Sequence, residues 1–512
     1  MRLNRDIRKV GLALLFLVGV GIYASTLISG PGSMMLVVAA MFGGYMALNI
    51  GANDVANNVG PAVGSAALSL GAALVIAAIF EAMGALVAGG DVVDTVKKGV
   101  IDPALIGNSE VFVWLMMAAL LAGAIWLNVA TYVGAPVSTT HSIVGGVLGA
   151  GMAAAGFDIV NWGKMGAIVA SWVISPVMGG LIAAFFLYVI KRTITYQSDV
   201  TEASKKIVPI LISLMVWAFT TYLILKGLKQ LWKVNLPIAA GIAAVISVIV
   251  YNFVKPKIRN YADALPNEKR SVNKMFVYPL ICSAALLSFA HGANDVANAV
   301  GPLAGIAEVL STGAMSSKAS IPLWVMIIGA LGIAVGLGLF GPKLIKTVGS
   351  EITELDEIRA YCIAMAAAIT VIIASQLGLP VSSTHIAVGG IFGVGFLREY
   401  LKSSYQRRIE EIRHYHQDKD AAATDAFILA FEEASLDEKK MMLANLKGRS
   451  RAPEQPEQIT NKERKKLKKA YKSELVKRSH LFKIAAAWVI TVPASALLAA
   501  MLYFMLRGML LP

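Results

Sequence analysis

Two cysteines in 512 residues leave no material for a disulfide framework or a metal-thiolate cluster. Cys282 and Cys362 both fall inside apolar segments, where a free cysteine serves packing. Charge is scarce as well. Asp, Glu, Lys and Arg make up 15% of the chain against 57% hydrophobic residues, and mean hydropathy is +0.66. This is more apolar than a soluble core of such size uses, and it describes a polytopic membrane protein. The net charge of +14 does not point to nucleic acid, because the basic residues gather in links between apolar runs, as cytoplasmic loops require.

Thirteen apolar runs are present, near residues 10–29, 34–54, 70–89, 112–132, 136–155, 164–190, 207–225, 235–254, 276–297, 321–341, 358–377, 381–398 and 481–506. Arg2, Arg5, Arg8 and Lys9 precede the first. A signal peptide cut near Ala24-Ser25 would look similar, but the run approaches the roughly 20 residues that span a bilayer, so an uncleaved helix is expected. With the N-terminus in the cytoplasm and one crossing per run, the three most basic links, 191–206, 255–274 and 398–478, all fall on the cytoplasmic side. Lys97 and Lys98 are the exception, amid Asp91, Asp94, Asp102 and Glu110. Residues 56–69 and 296–312 are too interrupted to assign, and a re-entrant hairpin there would leave the parity unchanged.

The chain repeats itself. Gly51-Ala52-Asn53-Asp54-Val55-Ala56-Asn57 recurs as Gly292-Ala293-Asn294-Asp295-Val296-Ala297-Asn298, 241 residues on. Pro136-Val137-Ser138-Thr139-Thr140-His141 recurs as Pro380-Val381-Ser382-Ser383-Thr384-His385, 244 residues on. A third echo, Trp172-Val173-Ile174 against Trp488-Val489-Ile490, lies 316 residues apart, which places an insertion of 72 residues in the second half. Seven crossings separate the starts of the two repeats, so the halves face opposite ways. Inverted repeats with polar, broken helices are an architecture of secondary transporters.

The expected fold is therefore an all-α polytopic membrane protein with two inverted-topology repeats, broken or re-entrant helices and about 12–13 membrane segments. Its divisions are an extra helix at 1–33, a first repeat at 34–192, two linking helices with basic loops at 193–275, and the first part of the second repeat at 276–398. A cytoplasmic helical insertion at 399–479 and the last helix at 480–512 complete it. Within the insertion, 435–438 and 460–463 fit capping boxes. The basic run 462–472 reads as a solvated face, or more sharply as a contact for anionic lipid heads.

Polar residues inside apolar runs mark function by default. Asn53, Asp54, Asn294 and Asp295 supply hard oxygen ligands suited to a small cation such as sodium or magnesium. Asn57 and Asn298 follow four residues later on the same helical face. Interhelical amide hydrogen bonding is the plainer alternative. The Pro-Val-Ser segments read as helix starts, whose free N–H groups and dipole favour an anion. Two such starts could cage one tetrahedral oxyanion with Ser138, Thr139, Thr140, Ser382, Ser383 and Thr384; ordinary capping is the alternative. Neither motif contains Lys or Arg, so dipoles and co-bound cations must balance the anion, which favours symport. His141 and His385 read as hydrogen-bonded inward histidines, with proton carriage as the other reading. Glu81 has no evident carboxylate counterpart near Gly332, and His291 stands where the first half has Ile50. Glu81 is a candidate for ion coupling, or for a structural pair.

These duplicated motifs resemble those of the inorganic phosphate transporter (PiT) family, over nearly the whole chain. The resemblance implies inverted repeats, inorganic phosphate as substrate and cation symport. It places Asn53, Asp54, Asn294 and Asp295 at cation positions and Ser138–Thr140 with Ser382–Thr384 at phosphate positions, and it marks Glu81 and His291 as functionally important. The bacterial proton-coupled branch, which carries metal phosphate, has a His where this chain has Asn53, so the chain looks more similar to the sodium-coupled branch. The expected function is sodium-driven phosphate uptake by alternating access. Proton-coupled metal-phosphate symport and sulfate transport are alternatives, and a membrane-embedded hydrolase or a passive channel fits the motifs less well. No cofactor is expected beyond transported sodium and phosphate. The expected partners are the lipid bilayer of the cell (inner) membrane, the transported ions and a second copy of the chain as a homodimer.

Overall fold

The computed structural model describes residues 2–27, 32–227, 234–313, 321–350, 355–415 and 478–510, and these are almost entirely helical. The first half contains α1 (Arg2–Ser25), α2 (Ser33–Asn53), α3 (Ala56–Gly64), α4 (Leu70–Ala88), α5 (Gly90–Lys98), α6 (Ser109–Val133), α7 (Thr139–Ala155) and α8 (Trp162–Ile190). The linking region holds α9 (Val200–Tyr222), α10 (Leu236–Asp263) and α11 (Lys269–Met275). The second half contains α12 (Val277–Asp295), α13 (Ala297–Thr312), α14 (Leu323–Ser350), α15 (Glu357–Gln376), α16 (Ser383–Tyr415) and α17 (Arg478–Leu510).

Eleven described helical stretches are long and apolar enough to cross a membrane. The other two of the thirteen apolar runs are α7, only 17 residues long, and the start of α16. Each begins at buried residues, Ser138–Thr140 and Ser382–Thr384. α6 and α7 form an antiparallel hairpin, in which Gly123 packs near Ile143, Gly146 near Ala119 and Gly151 near Leu115. Its tip is Gly134, at φ +78°, followed by four extended residues ending at Ser138. α15 and α16 are joined in the same way, through Gly378 at φ +65°. Glycine is favoured where φ is positive because it has no Cβ to clash. The hairpins thus lie at the Pro-Val-Ser motifs, whereas residues 56–64 and 297–312, which sequence left unassigned, are helical.

The Asn-Asp motifs fall where a helix breaks. α2 ends at Asn53 and α3 starts at Ala56; α12 ends at Asp295 and α13 starts at Ala297. Pro61 and Pro302 sit one turn after these breaks. Lacking an N–H, they cannot bond the carbonyls of Asn57 and Asn298 four residues earlier.

The halves pack by exchanging helices. α14 of the second half lies on α2 of the first, α4 lies on α12, α17 lies on α7, and α8 lies on α16. Small residues permit this contact, as they do in membrane bundles generally. A Cβ added at Gly51 would strike the Ile333 carbonyl, and one added at Gly292 would strike the Glu81 carbonyl. Gly336 and Gly84 stand equally close to the Leu48 and Phe289 carbonyls. These matched contacts agree with two repeats related by a pseudo-two-fold, and they align Glu81 with Ile333. Gly292→Ala should lower the thermal midpoint of the solubilised protein, since overpacking costs about 1–3 kcal/mol. Gly11→Ala is the control and should leave the midpoint unchanged, because nothing lies within 4 Å of its added Cβ.

α9 and α10 pair with one another through Ser247 Oγ, which donates to the Ser213 carbonyl at 2.6 Å. Lys205 ties their basic ends together, 2.5 Å from Asp263. α16 runs as one helix to Tyr415, past the expected start of the insertion at 399. Residues 416–477, with both capping boxes and the basic run, lie outside the described residues.

Candidate functional site

Asp54 and Asp295 each sit where a helix breaks and receive hydroxyls from both hairpin tips. Asp54 Oδ2 accepts from Thr139 at 2.5 Å, and its Oδ1 accepts from Thr384 at 2.6 Å. Asp295 Oδ2 accepts from Ser383 at 2.9 Å, and its Oδ1 lies 3.4 Å from the Thr140 hydroxyl. Thr139 corresponds to Ser383 and Thr140 to Thr384 in the repeat, so the pattern is two-fold: each Asp holds one hydroxyl of its own half and one of the other. All these residues are buried. The residues that sequence read as cation and anion candidates are direct hydrogen-bond partners.

The asparagines divide into two roles. Asn53 braces its own hairpin, donating to Thr131 Oγ1 at 3.0 Å and to the Ala135 carbonyl at 3.2 Å, while its Oδ1 accepts from the Val137 N–H. Asn294 repeats this with Ser375 and the Leu379 carbonyl. Asn57 Nδ2 donates to Thr384 at 2.8 Å, and Asn298 Nδ2 lies 3.1 Å from Thr139. The side-chain oxygens of Asn57, Asn58, Asn294 and Asn298 are buried without a hydrogen-bond partner. Buried acceptors left unpaired are expensive, and amide oxygens such as those of Asn57, Asn294 and Asn298, taken with the two Asp carboxylates, are the ligand types that suit a small hard cation. One ligand atom each from Asp54, His291 and Asp295 also lie within 4.8 Å of one another.

Both hairpin tips are self-capped helix starts. Ser138 Oγ accepts from the His141 N–H at 3.1 Å, and Ser382 Oγ accepts from the His385 N–H at 3.2 Å. The two histidine rings meet at 4.4 Å between centroids. Outside them, Trp172 stacks on His141 at 3.7 Å and Trp488 on His385 at 3.6 Å. Of the two sequence readings of these histidines, the geometry matches the hydrogen-bonded one for His141, whose Nδ1 lies 2.7 Å from Ser138 Oγ. The tryptophans were visible only as a repeated Trp-Val-Ile. Their role needed the fold, as did those of Thr131 and Ser375.

One cluster breaks the symmetry. His291 Nδ1 lies 2.7 Å from Glu81 Oε2, and its Nε2 lies 2.7 Å from Asp295 Oδ2. Asn58 Nδ2 donates to Glu81 Oε1 at 2.6 Å. At the corresponding positions the other half carries Ile50, Ile333 and Ala299. Three polar groups are thus matched by three apolar groups at the repeated positions. A neutral imidazole donates at one nitrogen only, so a histidine between two carboxylates is a place to keep or pass a proton.

Comparison with known proteins follows the same lines. A model of the phosphate transporter family matches residues 50–499. A candidate phosphate permease of Helicobacter pylori (strain J99) is 53% identical over 512 residues, covering 98% of this chain and 96% of that protein. One from Pyrococcus abyssi is 40% identical over 370 residues, covering 71% of this chain and 89% of the relative. A solved structure described as the sodium-dependent phosphate transporter superposes with a TM-score of 0.75 at 31% identity, covering 93% of this chain and all of that one. From a matched family model, a full-length relative and a shared fold, the chain belongs to the phosphate transporter family and is a multi-pass membrane transporter, not an enzyme.

Proposed function

We propose that the protein is a secondary active symporter that takes up inorganic phosphate with sodium by alternating access. The observation carrying this reading is that the hydroxyls best placed to hold phosphate are already bonded to carboxylates. Thr139, Thr384 and Ser383 donate to Asp54 and Asp295. Phosphate brought beside these bare carboxylates would meet like charge and occupied donors. Sodium bound by Asp54, Asp295 and the free amide oxygens of Asn57, Asn294 and Asn298 neutralises the carboxylates and releases the hydroxyls toward the anion. Hydrogen bonds to charged groups contribute about 1.5–3 kcal/mol each, so moving even one of them accounts for a coupling of the usual 1–3 kcal/mol. Cations bind first, phosphate second, and the neutralised carrier reorients.

A second reading, proton coupling, has its own observation in the Glu81–His291–Asp295 chain, with 2.7 Å at each step. The protein is placed in the cell (inner) membrane, with its N-terminus and the 399–479 segment in the cytoplasm. The test is uptake of labelled phosphate into vesicles carrying the pure protein, under an imposed sodium gradient, a proton gradient or neither. Uptake driven by sodium is expected. Uptake indifferent to sodium and driven by pH selects the second reading, and saturable sulfate uptake that phosphate does not compete rejects phosphate as substrate.

A further inference from the structure

A crevice of about 390 Å³ lies between α1, α2, α6 and α14, lined by Val10, Leu14, Tyr45, Asn49, Asn128 and Phe340 among others. Most of its wall is apolar, but one line of polar groups crosses it. Asn128 Nδ2 donates to Asn49 Oδ1 at 3.3 Å, and Asn49, itself buried, donates to the Tyr45 carbonyl. One turn further along α2 is Asn53, held by Thr131 of α6, and next to it is Asp54. Tyr45, Asn49 and Asn53 therefore form a ladder four residues apart on one helix face, faced by Asn128 and Thr131, and it leads from the crevice to the central carboxylate.

The second half shows that the fold does not need this ladder. By the same offsets its residues are Leu286, Ala290 and Ile372, and that side is packed with aromatic rings: Phe289 meets Phe219 at 5.3 Å and Tyr222 at 6.2 Å. Polar side chains in a membrane-spanning helix face the bundle interior or a water-filled cavity. The volume is large enough to hold several waters. Val10 and Leu14, on its α1 wall, are exposed.

We propose that this crevice is a solvated route by which hydrated inorganic ions pass between one aqueous face and the central site, with Asn53 and its hairpin bonds as the closed inner end. The route rests on the transport reading above. Amides suit both ions, since each offers a donor to phosphate and an acceptor to sodium.

The test places a cysteine at Asn49, and separately at its counterpart Ala290, in protein carrying Cys282→Ser. Each is exposed, from either face of the membrane in turn, to a charged, membrane-impermeant thiol reagent. Labelling of Asn49→Cys at least tenfold faster than Ala290→Cys is expected. Equal rates overturn the route, as does labelling of Asn49→Cys only by a membrane-permeant apolar maleimide, which would mark a lipid-filled crevice. In a second arm, the triple variant Y45L/N49A/N128I takes on the residues of the other half. Its phosphate uptake should fall at least tenfold while phosphate affinity stays within threefold of the parent protein; uptake within twofold of the parent overturns the proposal. Should the triple variant not fold, the labelling contrast decides. Should the parent protein not transport phosphate, the transport reading fails, and the labelling contrast still reports whether the crevice is aqueous.

Discussion

Asp54→Ala and Asp295→Ala should each reduce phosphate uptake at least ~100-fold, the factor that about 2.8 kcal/mol gives at 1.4 kcal/mol per tenfold. Two losses add up in each variant. The negative charge proposed to hold the cation disappears, and the hydroxyls it received, Thr139 and Thr384 for Asp54, lose their acceptor. The protein should still reach the membrane and elute as one species, because an apolar side chain is tolerated there better than an unpaired carboxylate. Asp54→Asn checks this point: it keeps an acceptor for one hydroxyl while removing the charge, and it should fold like the parent yet fail to transport. Near-normal vesicle uptake by both Ala variants would assign the carboxylates to structure.

The second large effect concerns Glu81 and His291, and its sign depends on how many residues change. Removing one member of a buried ion pair typically costs about 3–5 kcal/mol, whereas replacing the whole pair with well-packed apolar groups is often neutral or stabilising. The protein supplies the apolar version itself, as Ile333 beside Ile50. Glu81→Ile alone and His291→Ile alone should therefore lower the thermal midpoint sharply. The double variant E81I/H291I should recover most of that loss, and adding Asn58→Ala, which removes the orphaned amide, should recover more. Its uptake should stay impaired, at least tenfold below the parent, because the polar chain leading to Asp295 is gone. Single variants that melt with the parent, or a double variant that melts below both singles, would contradict this account. Full uptake by a stable double variant would remove Glu81 and His291 from coupling.

Much of this was legible because the chain states its motifs twice. The shared offsets of 241 and 244 residues paired the Asn-Asp and Pro-Val-Ser segments before any fold was known, and they singled out Ile50 against His291 and Asn58 against Ala299 as unequal. Sequence alone could not say that these inequalities form one cluster. Glu81 and His291 lie on helices of different halves, brought together by the packing of α4 on α12, and hydropathy carries no record of which helices pair. The hairpins could not be placed from sequence for a related reason. Apolar runs of similar length describe a full crossing and one arm of a hairpin equally well, and only the positive φ at Gly134 and Gly378 separates them. Trp172 and Trp488 looked like repetition without purpose until His141 and His385 were found stacked beneath them.

The packing of α2 against α14 has a consequence in time. Synthesis adds about 5–20 residues per second, so the roughly 270 residues between the two helices take on the order of 15–50 s to appear. Over that interval the face of α2 around Gly51 waits without its partner, and Asp54 waits for Thr384. Neither half can bury its own carboxylate alone, so late assembly of the centre is expected, and a chain cut in the linking region should be stable only when both pieces are made together.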